Sequence, residues 1–332
     1  IVVAMFLGGI SGSGPANAAA VGAVMIAAMS RAGYPAAFSA SVVGAAAATD
    51  ILIPPSVAFI VYSVLVPGAS VPALFAAGMI PGVLAGVALI VPAVWMARKH
   101  KMGALEASLP RPAFWQSLRE ATWGLAAPIL ILGGMRSGWF TPTEASVVAV
   151  FYALLCGKYV YRTLEWKAVP DILARSAMLT ASVLLIIGMS ASFAWILTIE
   201  GVPQIVAGWI VDMQLTPWTF LIVINIFLLL FGIFIEPLPG VMVLVPILAP
   251  VAAKLGVDPV HFAMVVIFNL TLGMITPPVG GLLFVTSNVS KVPLDALVRE
   301  LKPFLWAHAI ILVLLTFVPS LSTWLPHTLG FN

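Results

Sequence analysis

Long apolar runs separated by short polar stretches extend over the whole chain. The runs at residues 72–97 and 303–320 contain no Asp, Glu, Lys or Arg. A membrane-spanning helix needs about 20 apolar residues, so the pattern has room for about ten membrane segments. Because lipid offers no partner to unpaired backbone groups, these segments are predicted to be helices. The pattern therefore predicts an all-α integral membrane protein.

Helix-breaking residues interrupt four of these apolar regions. Gly and Pro clusters at 9–15 and 235–240 lie between short helices, which predicts two re-entrant helical hairpins with arms at 1–10, 16–30, 217–234 and 241–253. The pairs Pro54-Pro55 and Pro277-Pro278 cannot continue a helix and disfavour the α region at the preceding residue. They predict two broken helices, which resume and run to about residues 66 and 288. Residues 203–213 are too short to cross and are predicted to lie at the interface.

The two halves of the chain repeat each other. Eight positions recur at offsets of 221 to 224 residues, with Pro15, Gly33, Pro35, Phe38, Pro54, Pro55, Pro72 and Pro81 matching Pro239, Gly256, Pro259, Phe262, Pro277, Pro278, Pro293 and Pro303. Five predicted crossings separate the hairpins. An odd number places the hairpins at opposite faces, so the repeat is predicted to be inverted, as in secondary transporters. The predicted division is 1–97 for the first repeat, 98–216 for the connecting loop, spans and arm helices, and 217–332 for the second repeat.

Composition and charge support this class and exclude others. The chain is 62% hydrophobic and 8% charged, whereas a soluble domain has about 25% charged residues. Lys and Arg cluster at 98–119 and 158–167, which the positive-inside rule assigns to the cytoplasm, with the turns near Pro67 and Leu255 on the periplasmic face. This clustering is a signal of topology and gives no indication of nucleic-acid binding. The single Cys156 excludes a disulfide framework.

The chemistry of the breaks favours binding of an ion and a carboxylate. Helix C-terminal carbonyls directed into a break suit Na⁺, and N-terminal N–H groups suit a carboxylate. The predicted Na⁺ ligands are Ser11, Gly12, Asn17, Thr49 and Pro54 at the first break and Glu236, Gly240, Gly273 and Thr276 at the second. The predicted substrate ligands are Ser11, Ser13, Ser56, Glu236 and Thr276. No resident metal or organic cofactor is expected besides the coupling Na⁺.

Several alternatives stay open on the residues alone. Gly and Pro can simply let membrane helices kink. The carboxylates of Asp50 and Glu236 are either functional or tied to nearby backbone N–H groups that hold the break in shape. Glu144 is predicted to be structural, in the first turn of a helix. An enzyme is not favoured, because neither H-E-x-x-H nor G-x-S-x-G occurs. A scaffolding subunit would not need breaks within the membrane.

Six strings carry a family resemblance: Ile10-Ser11-Gly12-Ser13-Gly14-Pro15-Ala16, Ile51-Leu52-Ile53-Pro54-Pro55-Ser56, Phe140-Thr141-Pro142-Thr143-Glu144-Ala145, Phe234-Ile235-Glu236-Pro237, Gly256-Val257-Asp258-Pro259-Val260-His261-Phe262 and Gly273-Met274-Ile275-Thr276-Pro277-Pro278-Val279-Gly280. Together they make essentially the whole chain similar to the large membrane subunit of tripartite ATP-independent periplasmic (TRAP) transporters. The family's N-terminal portion is missing. Since Ile1 is not Met and residues 1–7 are already helical in character, we expect a fragment.

The resemblance implies a specific fold and activity. It implies an inverted-repeat fold of the elevator type, like that of the ion-transporter superfamily, and a Na⁺ symporter of small organic acids in the bacterial inner membrane. The implied partners are a small membrane subunit and a soluble periplasmic substrate-binding protein. The alternative is a stand-alone ion-coupled dicarboxylate symporter. The hairpins and broken helices are expected to move against a static frame of spans 72–97, 121–136, 143–159 and 303–320.

Two departures from the family pattern concern the substrate. Many members have a basic residue near the position of Ile199, where this chain has Ile199-Glu200. After the second Pro-Pro pair the family usually has Gly-Leu-Asn, and this chain has Gly280-Gly281-Leu282. The sequence therefore predicts an organic acid without identifying it.

Overall fold

The protein is all-helical over the residues that the computed structural model describes, which are 1–103, 113–202, 204–205, 208 and 216–331. The chain divides into two compact units. Unit 1 comprises Ile1–Leu109 and Leu197–Asn332, and unit 2 comprises Pro110–Ile196. Unit 1 therefore contains both predicted repeats. The repeat boundaries at residues 98 and 217 come from sequence symmetry and stay a prediction.

The first part of unit 1 has the predicted order of hairpin, broken helix and long helix. Hairpin 1 consists of α1 (Val2–Ser11) and α2 (Gly14–Arg31); broken helix 1 consists of α3 (Ala36–Thr49), a 3₁₀ turn (Asp50–Leu52) and α4 (Val57–Leu65); α5 (Val71–Lys99) follows. Local sequence determines where α2 and α5 begin. Prolines occupy the second positions of α2 and α5, within the first turn, where the missing N–H leaves no hydrogen bond unmade. The Ser70 hydroxyl caps α5 by accepting from the Ala73 N–H.

Unit 2 contains α6 (Phe114–Arg136), α7 (Pro142–Leu155) and most of α8 (Val169–Ile199). A capping box starts α7: the Glu144 N–H donates to the Thr141 hydroxyl, and the Glu144 carboxylate accepts from the Thr141 N–H at 2.8 Å. The predicted structural role of Glu144 in a first turn is confirmed. The described side chains of α8 are almost all exposed, as expected of a helix that faces lipid or another chain.

The second part of unit 1 repeats the first. Hairpin 2 consists of α9 (Pro217–Gly232) and α10 (Pro237–Lys254); broken helix 2 consists of α11 (Pro259–Gly273) and α12 (Gly281–Ser290); α13 (Leu294–Phe317) and α14 (Ser320–Thr328) follow. The breaks occur where the sequence predicts them. Both pairs, Pro54-Pro55 and Pro277-Pro278, contain a cis peptide bond.

The core of unit 1 is formed by α3 and α11, which are buried on nearly every side. Helix α3 is built almost entirely of Ala, Ser, Val and Gly. Such small residues let neighbouring helices approach closely where lipid gives no hydrophobic drive for association. Six helices in the described ranges are long and apolar enough to cross a membrane: Ala36–Leu65, Val71–Lys99, Pro142–Val160, Trp166–Met189, Pro237–Lys254 and Leu294–Phe317.

Several sequence expectations differ from this fold. Among the described residues, six helices rather than about ten have the length and composition of spans, because the breaks leave shorter apolar helices such as α9, α11 and α12. The last long helix begins at Leu294 instead of residue 303, since Pro303 is accommodated inside it. Most of the predicted interfacial segment 203–213 lies outside the described residues. Helices α5 and α13 belong to the same unit as the hairpins. Which helices form the static frame stays a prediction.

Candidate functional site

The turn of hairpin 1 lies against the break of broken helix 1. Gly12 ends α1 with a φ of 59°, and its N–H donates to the Gly8 carbonyl at 3.0 Å. A Cβ at Gly12 would lie 2.7 Å from the Pro55 carbonyl oxygen and 3.3 Å from the Ser56 Cα. Glycine suits both the left-handed backbone and this close approach. The C-terminal end of α1 and the N-terminal end of α4 are thus brought together, with their unpaired carbonyl and N–H groups.

Buried polar side chains fill the space behind this turn. The Asn17 amide donates to the Ala4 carbonyl at 3.1 Å and to the Asp50 carboxylate. Asn17 is 2% exposed and Asp50 is 0% exposed, so this contact is closed to solvent. The Thr49 hydroxyl donates to the Ala46 carbonyl at 2.7 Å, which leaves its lone pairs available. Asn17 therefore connects both arms of hairpin 1 to broken helix 1.

Two buried oxygens at this break have no hydrogen-bond partner among the described residues. They are Oδ1 of Asp50 and Oγ of Ser56, and both residues are 0% exposed. A buried polar atom without a partner is uncommon and calls for an explanation, such as a bound ion or water. The donor set here consists of one carboxylate, neutral hydroxyls and backbone carbonyls. Such hard oxygen ligands suit an alkali or alkaline-earth cation.

The second break is closed mainly by backbone. The Gly280 N–H donates to the Ile233 carbonyl at 3.1 Å, which ties broken helix 2 to the turn of hairpin 2. Gly232 and Gly273 lie backbone against backbone, and a Cβ at Gly273 would overlap Gly232. Thr276 is half-buried, and its hydroxyl donates to the Leu272 carbonyl at 2.7 Å. Close packing of the Gly232 and Gly273 backbones replaces here the buried side chains of the first break.

Glu236 is the charged residue at the turn of hairpin 2. It precedes α10 in the N-cap position, but its side chain caps no N–H group. The carboxylate is exposed, and Oε1 lies 3.9 Å from the position of a Cβ at Gly281. The carboxylate is thus directed towards the first residue of α12, where a helix N-terminus favours negative charge. An exposed carboxylate that caps nothing is available to a ligand.

The two repeats interlock crosswise within unit 1. Helix α12 of broken helix 2 packs on α2 and α3, and α4 of broken helix 1 packs on α10. A Cβ at Gly44 would lie 3.2 Å from Cγ2 of Thr286, and the Tyr62 hydroxyl donates to the Pro259 carbonyl at 3.0 Å. Each repeat therefore packs against the second half of the other repeat's broken helix, and both breaks belong to one compact unit.

The structure groups most of the predicted site residues. It brings Gly12, Asn17, Thr49, Pro54 and Ser56 together at break 1, and Glu236, Gly273 and Thr276 to break 2. Gly240 lies in the first turn of α10 against Leu270 of α11. Ser13 is the half-buried N-cap residue of α2. The Ser11 side chain lies outside what the structure describes. The binding roles of all these residues stay predictions.

A buried polar network escaped the sequence analysis. The Asn269 amide donates to the Asn225 carbonyl oxygen, and the Asn225 amide donates to the Thr316 hydroxyl at 2.9 Å. The network joins α9, α11 and α13. A lone Asn in the apolar helix Pro217–Gly232 is the signal that could have revealed it, because polar residues in membrane helices usually bond across helices.

Helical hairpins that meet broken helices, together with six candidate spans in the described part of the chain, are typical of a membrane transport protein. Residues 1–321 match the family model of the "Tripartite ATP-independent periplasmic transporter, DctM component". The chain belongs to this family of TRAP transporter large permeases. It is therefore a multi-pass transporter subunit and not an enzyme.

Three relatives indicate the range of the family. The chain is 42% identical over 335 residues to the C4-dicarboxylate TRAP transporter large permease protein DctM of Pseudomonas aeruginosa, covering 100% of this chain and 77% of that protein. It is 38% identical over 333 residues to the sialic acid TRAP transporter large permease protein SiaM of Vibrio cholerae, covering 100% and 78%. It is 38% identical over 317 residues to the isethionate TRAP transporter permease protein DctMQ of Oleidesulfovibrio alaskensis, covering 96% and 50%.

Proposed function

We propose that this chain is the large permease of a Na⁺-coupled importer of small organic acids in the bacterial inner membrane. The observation that carries the proposal is the convergence of helix ends at Gly12 and Ser56, beside buried oxygens without partners among the described residues. Carbonyl ends and hydroxyls suit Na⁺, and helix N-termini suit the carboxylate or sulfonate of a substrate. The relatives' names include dicarboxylates, sialic acid and isethionate, which are all organic anions.

In this proposal Na⁺ binds at both breaks and the substrate lies near their edges. Break 1 uses Ser11, Gly12, Asn17, Thr49 and Pro54, and break 2 uses Glu236, Gly240, Gly273 and Thr276, largely through backbone carbonyls. The substrate contacts Ser11, Ser13 and Ser56 from the first repeat and Glu236 and Thr276 from the second. The crosswise packing of the repeats supports this division, since it holds both breaks in one compact unit.

The proposed partners are a small membrane subunit and a periplasmic substrate-binding protein. The names of the relatives as TRAP permeases favour this three-part system over a stand-alone dicarboxylate symporter. The exposed apolar side chains of unit 2, including Trp139, Phe151 and Trp195, offer a surface for lipid or for the small subunit. The Lys and Arg clusters favour a cytoplasmic end for α5 and a periplasmic turn at Leu255.

Transport by the complete system tests the proposal. The permease, its small subunit and its binding protein are reconstituted in liposomes, and uptake of labelled succinate, sialic acid or isethionate is measured. We expect uptake to require an inward Na⁺ gradient and the binding protein. Uptake driven by a pH gradient without Na⁺ would reject the coupling ion, and uptake without the binding protein would favour the stand-alone symporter.

The elevator mechanism requires that both repeats move as one body. Because α5 and α13 belong to unit 1, we propose unit 1 as the moving body, with α5 and α13 included. A disulfide between Gly44→Cys and Thr286→Cys joins the repeats, since a Cβ at Gly44 lies 3.8 Å from the Thr286 Cβ. With Cys156→Ser as background, we expect the oxidised protein to retain most of its transport. Complete block on oxidation, reversed by reduction, would favour local gating between the repeats.

A separate experiment tests the orientation of the chain in the membrane. Single cysteines at His100 and Leu255 are treated with an impermeant thiol reagent in intact cells. We expect labelling of Leu255→Cys alone, because the residues beyond α5 are predicted to be cytoplasmic. Labelling of both positions from outside would reject the inverted repeat.

A further inference from the structure

The same face of α1 covers two buried oxygens of broken helix 1. A Cβ at Gly8 would lie 2.6 Å from the Asp50 Cβ, and one at Gly12 would lie 3.3 Å from the Ser56 Cα. Gly8 and Gly12 are four residues apart, about one helical turn or 6 Å along α1. Oδ1 of Asp50 and Oγ of Ser56, which both lack a partner among the described residues, are therefore covered by successive turns of one helix.

The second repeat shows that the fold does not need a side chain at the position of Asp50. The offset of 223 that relates the Pro-Pro pairs matches Asp50 to Gly273, and the offset of 224 that relates Pro15 to Pro239 matches Gly8 to Gly232. The structure bears out this correspondence, because Gly8 packs on Asp50 as Gly232 packs on Gly273. A glycine suffices to make the junction in broken helix 2. The carboxylate of Asp50 is thus an addition to the shared architecture.

The surroundings of Asp50 offer little positive charge. Its side-chain partner is the neutral Asn17 amide. The 3₁₀ turn that contains Asp50 contacts α1, α2, α3, α5 and α11. The positive or titratable side chains of these elements are Arg31, Arg98, Lys99 and His261. The Ile1 amino group precedes α1, and it is an uncharged amide wherever residues precede it.

The charged side chains among these are remote or otherwise engaged. Arg31 ends α2, about 20 Å along the helix from Asn17. Arg98 and Lys99 end α5, more than about 20 Å beyond Gly82, which packs against Ile53. The imidazole of His261 is bonded to Ser322 through Nδ1 at 2.9 Å. An ionised carboxylate buried in a membrane helix needs a compensating charge, and a bound cation supplies one.

We propose that Asp50 is the charged ligand of the cation site at break 1, which makes this site bind Na⁺ more tightly than break 2 does. The inference deepens the proposed function and rests on it. Oδ1 of Asp50 contacts the ion directly, while Asn17 holds Oδ2 and fixes the orientation of the carboxylate. Break 2 has a glycine at the corresponding position and an exposed carboxylate at Glu236, so its ion is held mainly by backbone.

Thermal unfolding with and without Na⁺ separates this role from a purely structural one. The complete transporter is purified in detergent, and its unfolding temperature is titrated with Na⁺ against choline. Asp50→Asn keeps the shape and a neutral oxygen but removes the charge. We expect the Na⁺-free unfolding temperature of Asp50→Asn to equal or exceed that of the unaltered protein. We also expect its half-saturating Na⁺ concentration to rise at least about tenfold, because even the loss of a group that only supports a metal ligand lowers metal affinity by about that factor. Asp171→Asn, an exposed acid-to-amide change, is the matched control and should titrate normally.

The outcomes distinguish this inference from the proposed function. If the unaltered transporter shows neither Na⁺-dependent uptake nor Na⁺-dependent stabilisation, the proposed function fails. If it shows both and Asp50→Asn titrates identically, only the role of Asp50 is rejected. A lower Na⁺-free stability with an unchanged Na⁺ titration would identify a structural carboxylate, and a changed pH profile alone would identify a proton site; either overturns the proposal. Should Asp50→Asn fail to fold, Asp50→Gly copies the second repeat and is expected to give the same loss of Na⁺ response.

Discussion

The two breaks of unit 1 share a backbone plan and differ in chemistry. Break 1 is filled by buried side chains, with Asn17 bonded to Asp50 and the Ser56 hydroxyl enclosed. Break 2 is closed by a Gly–Gly contact and a backbone hydrogen bond from Gly280, and its carboxylate is exposed. A repeated backbone plan thus carries different side chains at its two breaks, and the proposed difference in binding between the breaks rests on those side chains.

The largest expected effect comes from filling the Gly–Gly contact at break 2. Gly273→Val would place a branched side chain in the backbone of Gly232 and force broken helix 2 away from hairpin 2. Overpacking of this kind costs about 1–3 kcal/mol and occasionally more. We expect loss of uptake and a lower unfolding temperature in the complete transporter. Gly133→Val is the matched control, since nothing lies within 4 Å of a Cβ at Gly133; equal damage from both changes would contradict the prediction.

A smaller effect is expected from removing the amide at break 1. Asn17→Ala leaves the Asp50 carboxylate and the Ala4 carbonyl without their donor, and an unsatisfied buried group costs about 1–3 kcal/mol. Denaturation of the single variants and of Asn17→Ala combined with Asp50→Ala should show that the double change costs less than the sum of the two. Additive losses of stability would mean that Asn17 and Asp50 are not coupled. The buried pair would then not distinguish break 1 from break 2.

The smallest effect on stability is expected from Glu236→Gln. The side chain is exposed and caps nothing, so the unfolding temperature should stay unchanged. Uptake should nevertheless need several-fold more Na⁺ or substrate, because the carboxylate is directed into break 2. Glu165→Gln, an exposed change outside both breaks, should alter neither property. Unchanged uptake kinetics in Glu236→Gln would contradict the proposal that the exposed carboxylate at break 2 takes part in binding.

Local chemistry made the positions of the breaks predictable. Two consecutive prolines interrupt a helix at Pro54-Pro55 and at Pro277-Pro278, whereas the single Pro303 is accommodated inside α13. The common offset of the two Pro-Pro pairs marks the repeat within the sequence itself. The same holds for Glu144, whose distance from Thr141 and Pro142 specifies a capping box. The breaks and the cap depend on residues within one helical turn of each other, which a sequence displays directly.

Contacts between distant helices could not be predicted in this way. The Asn17–Asp50 pair depends on how α1 and α2 pack on broken helix 1, across 33 residues of sequence. Helix α5 packs on broken helix 1 at Gly82, which lies directly against Ile53. Periodicity indicates that such helices are apolar, but it does not say which neighbour covers each face. The extent of the static frame therefore stays a prediction.

The crosswise packing has a consequence for how the protein is made. The Ser41 hydroxyl on α3 donates to the Leu297 carbonyl on α13 at 2.9 Å, across 256 residues of sequence. At about 5–20 residues per second, a ribosome needs on the order of 10–50 s to synthesise that interval. During this time α3, a helix of small residues with polar hydroxyls, is in the bilayer without the second repeat that later covers it. A newly made first repeat is thus a folding intermediate. Lipid or the insertion machinery has to cover its helices until the second repeat has been translated.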